Sequence, residues 1–323
     1  MRIVRGNTML LRFYEFLKIP EGRPIKFVGK YWRRFIDRLV VSYIRKKKIP
    51  LEPLNKGFRE EKVIASLTSF PARIDCVEYA VKSLMLQDYK PDRIILWLSN
   101  LQFNSEKELP STLLALKEKG LEIKFCNDDL RGHKKYYELI KNQKENEIIV
   151  TFDDDIIYPH NSISRLYKLH KKYPNAIVVN RGYEITFNKD GKLNPHKKWK
   201  LISRYGVKKP ASLILTSTGS GILYPYDSFY SDILNVDLLK KFALSIDDLW
   251  ITIMALIKGT KIIKSHYAFK TFTTYPGSQK YQLGLENMRN PENIDRHDTV
   301  LKALVEHYSE LKENLTVANK KMH

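Results

Sequence analysis

Residues 148–159, IIVTFDDDIIYP, set Asp153, Asp154 and Asp155 in a row inside an otherwise apolar run. Three adjacent carboxylates repel one another, and burying an ionised carboxylate without a partner is costly. A divalent cation answers both problems. Mg2+ and Mn2+ take hard oxygen ligands and typically bind one or two carboxylates together with substrate phosphates. On an extended chain Asp153 and Asp155 point the same way and Asp154 the other, which makes Asp153 and Asp155 the candidate metal pair. A solvated acidic loop is the plainer alternative, and the apolar flanks 148–152 and 156–158 argue against it. The run also lacks the ligand spacing and the glycine of an EF-hand loop.

Three further stretches carry chemistry. In DDLRGHKKYYELI, His133, Lys134 and Lys135 open a helix, where backbone N–H groups and positive charge favour a phosphate. Ordinary solvated lysines are the alternative for either one. In SIDDLW, Asp247 and Asp248 fall in a first helical turn, where the dipole favours acids and one of them can act as a cap. A carboxylate pair at a sheet-edge helix is also where a general base for a hydroxyl belongs. In TSTGSGILYP, Gly219 and Gly221 flank Ser220; small residues let backbone approach a ligand closely, though a plain tight turn needs no more.

Those residues need a frame. VIASL, RIILWLS, LEIKFC and EIIVTF are short apolar runs bounded by turn residues and read as strands. Between them lie helical patterns over 68–87, with Ile74, Val77, Val81, Leu84 and Met85 on one face, over 110–120, and over 134–143. The alternation β-α-β-α-β-α-β implies an α/β fold, a mainly parallel sheet covered by helices. In such sheets ligands bind beyond the carboxyl ends of the strands. Thr68 to Arg73 follow the first strand and the aspartates end the fourth, so neighbouring strands would bring both to one crevice. Further on come a helix over 161–174, a strand over 176–180, a polar hairpin-like stretch over 181–200, a helix from 245, a strand over 261–265 and a charged, fraying helical tail from Glu306.

The bulk properties bound the reading. At 323 residues, 43% hydrophobic and 28% charged, the chain is of the folded, soluble class. No apolar run approaches the ~18 residues of a membrane span, and the first residues lack a secretory signal, which points to the cytoplasm. Cys76 and Cys126 make neither a disulfide framework nor zinc spacing and read as buried thiols in a reducing compartment. The net charge is +20, and residues 1–60 hold 16 Lys or Arg against 5 Asp or Glu, hence +11 of it. Within them, 31–48 put Trp32, Phe35, Ile36, Leu39, Val40, Tyr43 and Ile44 at helical spacing among Arg and Lys. Such a basic amphipathic helix can lie on an anionic membrane surface, here the inner face of the cell membrane. Alternatively it packs its stripe on the main domain and leaves the charges in water. No nucleic-acid-binding signature accompanies the charge. The chain divides into a basic N-terminal extension (1–60), whose proline-containing end reads as a linker, a main domain (61–300) and a helical tail (301–323).

VIASLTSFPARI, VKSLMLQDYKPDRIILWLS, GHKKYYELI, IIVTFDDDIIYP, TGSGILYP and DDLWITIMALIKG occur in this order. Together they resemble the bacterial GT-A-fold glycosyltransferases of the family-2 type, often found in capsule or lipopolysaccharide synthesis, over roughly residues 62–300. The ordered set is far more specific than the D-x-D alone. The resemblance implies a GT-A-like (Rossmann-like) sheet, a nucleotide-sugar donor, a Mn2+ or Mg2+ ion on its diphosphate, and a glycan or lipid-linked acceptor. A UDP-linked donor and inverting transfer are expected. On this resemblance Asp155 chelates the metal and Asp153 reaches the ribose or the metal. Thr68, Phe70 and Arg73 line the nucleotide pocket beside Asp154, and Lys134 or Lys135 faces the diphosphate. Asp248 matches the family's base, although the usual Glu-Asp pair is Asp247-Asp248 here, so Asp247 can share or take the role. His266 is a further metal ligand or a packed surface histidine. Two readings compete. A nucleotidyltransferase would carry a glycine-rich phosphate loop after the first strand, and LTSFPARI has no glycine. A non-catalytic basic module explains the charge but leaves the aspartates unexplained.

Overall fold

The computed structural model describes residues 26–202, 206–266, 273–281 and 295–320. Its centre is a seven-stranded sheet. Four strands come from the first half of the chain: β1 (Lys62–Thr68), β2 (Arg93–Ser99), β3 (Leu121–Cys126) and β4 (Glu147–Thr151). After a short β5 (Ile156–Ile157) come β6 (Ile177–Val179), β7 (Gly182–Glu184), β8 (Lys200–Leu201), β9 (Ile214–Thr216), β10 (Ile222–Tyr224), β11 (Ile262–Lys264) and β12 (Thr273–Thr274). The sheet order is β11-β6-β10-β4-β1-β2-β3. β1 lies parallel to both β2 and β4, and only β10 runs antiparallel to its neighbours. The mainly parallel sheet expected from the alternation, and implied as GT-A-like by the resemblance, is present. β1 and β4 are adjacent, so the chain segments leaving their carboxyl ends share the crevice where the strand order reverses.

The strands read as unbroken apolar runs because both sheet faces are covered. Ile64, Ile95, Ile149, Ile222 and Tyr224 face one core; Val63, Ala65, Leu67, Leu96, Val150 and Leu223 face the other. The longer helices are α1 (Lys26–Lys46), α2 (Val77–Met85), α3 (Lys134–Lys141), α4 (Ser162–Lys172), α5 (Asp247–Lys258), α6 (Arg296–His307) and α7 (Ser309–Lys320). α5 buries every side chain from Leu249 to Leu256, including Trp250, and so runs through the core rather than along its surface. The tail is likewise no frayed end: Leu304, Leu311 and Leu315 are buried in the same core, and the Asn314 side chain donates to Leu256 O at 3.1 Å. The helix expected over 110–120 is a single turn, Ser111–Leu114, and a 3-10 turn, Lys117–Lys119, because the chain must already enter β3 at Leu121.

The N-terminal helix packs against the main domain. Ile36, Val40, Val41 and Ile44 are buried with Tyr79 and Ile157, whereas Phe35 (51% exposed) and Leu39 (48%) face outward. The buried stripe is therefore rotated from the expected one, with Val41 inside and Phe35 and Leu39 outside. No described helix is long and apolar enough to cross a membrane. Both cysteines are free, Cys76 buried and Cys126 half-buried.

This packing separates two positions on one helix. Ile44→Ala opens a cavity and lowers the unfolding free energy by about 2–5 kcal/mol. Leu39→Ser changes it by no more than about 0.5 kcal/mol. Chemical denaturation of the two variants checks the difference.

Candidate functional site

The crevice is built where four chain segments meet: the turn after β1, the start of α3, the turn after β4 and the start of α5. At its centre is Lys135, in the first turn of α3 and buried. Its Nζ donates to Asp153 Oδ1 at 2.7 Å and stands 2.8 Å from Asp247 Oδ2. Its carbonyl accepts from Ser66 Oγ at 2.5 Å, which ties the helix start to β1. Burial opposes its charge, but the two carboxylates outweigh that and raise its pKa above the usual lysine value. Asp247 shows the complement. Burial alone would raise its carboxyl, and the Lys135 charge holds it below the usual range.

The triplet is not extended. Asp154 and Asp155 sit in a turn between β4 and β5, so strand alternation does not govern their directions. Asp153 points toward Lys135 and keeps 31% of its side chain exposed; its backbone N–H donates to Tyr158 Oη at 2.7 Å. Asp154 and Asp155 turn the other way and are buried. Arg73 Nη1 lies 2.8 Å from Asp154 Oδ1 and 3.5 Å from Asp155 Oδ2. Ser69 Oγ donates to Asp154 Oδ2 at 2.6 Å, and Ser278 Oγ to Asp155 Oδ2 at 2.8 Å. Burial pushes the Asp154 carboxyl up to about 6 against the lowering effect of Arg73. Two cations of this chain, Arg73 and Lys135, thus stand among the aspartates. Asp247 shares Lys135 with Asp153, whereas Asp248 faces His297.

The remaining expected residues are placed as follows. Thr68 Oγ1 donates to Trp97 O at 2.8 Å, toward β2, and the Phe70 ring lies 5.6 Å from the Arg73 guanidinium. Lys134 faces away from Lys135 and pairs with Asp129. His133 is fully buried; burial lowers its pKa, and the neutral ring donates through Nε2 to Ala243 O at 3.0 Å and accepts at Nδ1 from Tyr136 Oη at 2.5 Å. Asp248 diverges from Asp247, as adjacent residues about 100° apart on a helix must. It is a quarter exposed, its Oδ1 accepts from Leu249 N at 2.8 Å, and His297 Nε2 lies 3.5 Å from the same oxygen. His266 is exposed at the end of β11, and its carbonyl accepts from Arg165.

Two glycines are explained by carboxylates. A Cβ on Gly132 would stand 2.9 Å from Asp247 Oδ2, and one on Gly219 would stand 2.7 Å from Asp153 Oδ2. The small-residue stretch therefore passes between the acids, with Thr218 Oγ1 donating to Asp247 Oδ1 at 3.4 Å and Tyr158 Oη to Gly219 O at 2.9 Å. Among the described residues, one group of three or more His, Cys, Asp or Glu brings its ligand atoms within 4.8 Å of one another: His196, Asp295 and His297. Sequence reading missed it. No spacing signal joins a lone histidine in a polar hairpin to residues a hundred positions later.

No family model matches the chain, and no curated protein does. Among solved structures, a mannosyltransferase from Pyrobaculum calidifontis, in complex with GDP-Man and Mn2+, is 10% identical, with coverage of 89% of this chain and 82% of its own and a TM-score of 0.41. The 2-C-methyl-D-erythritol 4-phosphate cytidylyltransferase of Francisella tularensis is 13% identical over 71% of this chain and 99% of its own, with a TM-score of 0.39. A UTP-bound UGPase from Acinetobacter baumannii gives 13%, 76%, 98% and 0.39. Likenesses this loose leave reaction and substrate to the site itself.

Removing the central cation leaves two half-buried carboxylates, Asp153 and Asp247, without their shared partner. Lys135→Met is expected to cost about 3–5 kcal/mol of stability, measured by urea denaturation at neutral pH.

Proposed function

We propose that the chain is a glycosyltransferase that moves a sugar from a nucleotide-sugar donor to a hydroxyl of a glycan or lipid-linked acceptor, with inversion. The observation that carries this reading is the Lys135 bridge. It puts the acids at the end of β4, the donor side, and the acid pair that opens α5, the acceptor side, into one crevice at the β1/β4 reversal. The ordered motifs named above support the same reading.

In this reading Arg73 and Phe70 border the nucleotide, and Lys135 supplies positive charge toward the diphosphate. Asp153, whose carboxylate is partly exposed, is the residue that would hold Mn2+ or Mg2+ together with donor phosphates. Asp155 is buried on Arg73 and Ser278 and would have to leave them to join it in one ligand set. Once bound, the ion supplies Lewis-acid stabilisation of the leaving diphosphate. Asp248 acts as the base. Asp247 has one oxygen on Lys135 and the other on Thr218 and its own helix, whereas Oδ2 of Asp248 has no hydrogen-bond partner among the described residues. Asp248 therefore takes the acceptor proton as the hydroxyl attacks the anomeric carbon; the bond to the diphosphate breaks, and the diphosphate leaves with its electron pair. Asp247 orients Lys135.

The outward face of α1, with Leu39 exposed beside Arg38 and Lys46, supports peripheral attachment to an anionic membrane. Leu39→Ser then weakens co-sedimentation with anionic liposomes, an effect that added salt mimics.

Incubation of the purified protein with UDP-, GDP- and CMP-sugars, with and without Mn2+, tests the reaction. Metal-dependent release of a nucleoside phosphate with sugar transfer is expected. Pyrophosphate release from a nucleoside triphosphate and a sugar phosphate would instead establish nucleotidyl transfer. On the transfer reaction, Asp248→Asn lowers kcat by at least about 100-fold with nucleotide affinity nearly unchanged. A retained anomeric configuration would contradict the single-base mechanism.

A further inference from the structure

The imidazoles of His196 and His297 stack with centroids 4.0 Å apart, and both aim Nδ1 at one carboxylate. His196 Nδ1 lies 2.8 Å from Asp295 Oδ2, and His297 Nδ1 lies 3.0 Å from Asp295 Oδ1. As neutral rings both histidines can reach Asp295 by donating from Nδ1. A ring nitrogen of each histidine and a carboxylate oxygen also lie within 4.8 Å of one another, close enough for all three to meet on one divalent ion.

The surroundings fix the rings in that pose. The backbone N–H of His196 donates to Asp298 Oδ1 at 2.7 Å, and its ring meets Trp199 edge-on at 5.3 Å. Asp295 caps α6, with Oδ1 accepting from His297 N at 3.0 Å. The far nitrogen of His297 turns to Asp248 Oδ1 at 3.5 Å. A ligating histidine whose other ring nitrogen faces a carboxylate is the usual outer arrangement of a metal-bound imidazole, because the carboxylate sets tautomer and orientation. All three ligands are half-buried, accessible enough for an ion to enter.

We propose that His196, Asp295 and His297 form a second metal site, separate from the aspartate triplet and independent of the transferase reading. Two imidazoles and one carboxylate suit a borderline transition ion of the Zn2+ class rather than Mg2+. Three protein ligands leave a fourth position for water. The ion ties the 3-10 turn His196–Lys198 to the start of α6 and, through His297, braces Asp248 from outside the crevice.

The full chain, stripped with a chelator and dialysed, is titrated with Zn2+ by calorimetry and with Co2+ by visible absorption. One equivalent is expected to bind with nitrogen-ligated Co2+ bands. It persists in Asp155→Ala, which separates it from any ion at the triplet, and is lost in His196→Ala and in His297→Ala. Asp248→Asn weakens it by about 10- to 100-fold. Zinc-edge X-ray absorption of the unmutated protein needs no variant and should show two imidazole shells. Absence of those shells, or undiminished binding in both folded histidine variants, overturns the proposal and leaves a hydrogen-bonded imidazole–carboxylate clamp.

Discussion

The ammonium of Lys135, held between Asp153 and Asp247, is the contact on which the crevice depends. A buried lysine costs several kcal/mol unless it is paired, and so does each buried carboxylate; together they become tolerable. The pairing has geometric consequences. Asp153 is fixed to β4 and Asp247 to α5, so satisfying one ammonium draws those elements together over the start of α3. The backbone opposite each acid must then make room, which is why Gly132 and Gly219 carry no side chain where a Cβ would meet a carboxylate. Arg73 does the same work for Asp154 and Asp155 from the end of β1.

Such a network needs a rigid frame. α5 supplies it by burying an unbroken run behind Asp247 and Asp248, so the acid pair projects from a helix that cannot rock without disturbing Trp250 and its neighbours. α6 and α7 pack on the same core and bring Asp295 and His297 beside Asp248. The helix start therefore has two sides. Asp247 belongs to the ionic network of the crevice and Asp248 to the imidazole cluster, and their divergence follows from helical geometry alone.

How much of this was legible in the sequence depends on which interactions set each feature. The strands β1 to β4 were legible because burial on two sheet faces writes continuous apolar runs, whereas alternation does not fix strand order, so the adjacency of β1 and β4 is given by their pairing in the sheet. The positions of the aspartates were not legible either. The alternation argument holds for a strand, and Asp154 and Asp155 sit in a turn whose shape is set by Arg73, Ser69 and Ser278, the last more than a hundred residues away. Lys134 and Lys135 look equivalent in HKK, yet one step along the helix start sends the first to Asp129 and the second into the crevice. The buried stripe on α1 differs from the expected one because Val41, rather than Phe35 or Leu39, packs with Tyr79 and Ile157. A single sign of the network was visible, the glycine directly before HKK, whose meaning appears only beside Asp247.

The most direct test of the account is a double-mutant cycle between Lys135 and Asp247, read as unfolding free energies. If Lys135 is retained to neutralise Asp247, the pair Lys135→Met with Asp247→Asn restores a large part of the stability lost by Lys135→Met alone, since one uncompensated buried carboxylate is gone. Losses that simply add would mean the two side chains are not coupled, and would contradict the central claim.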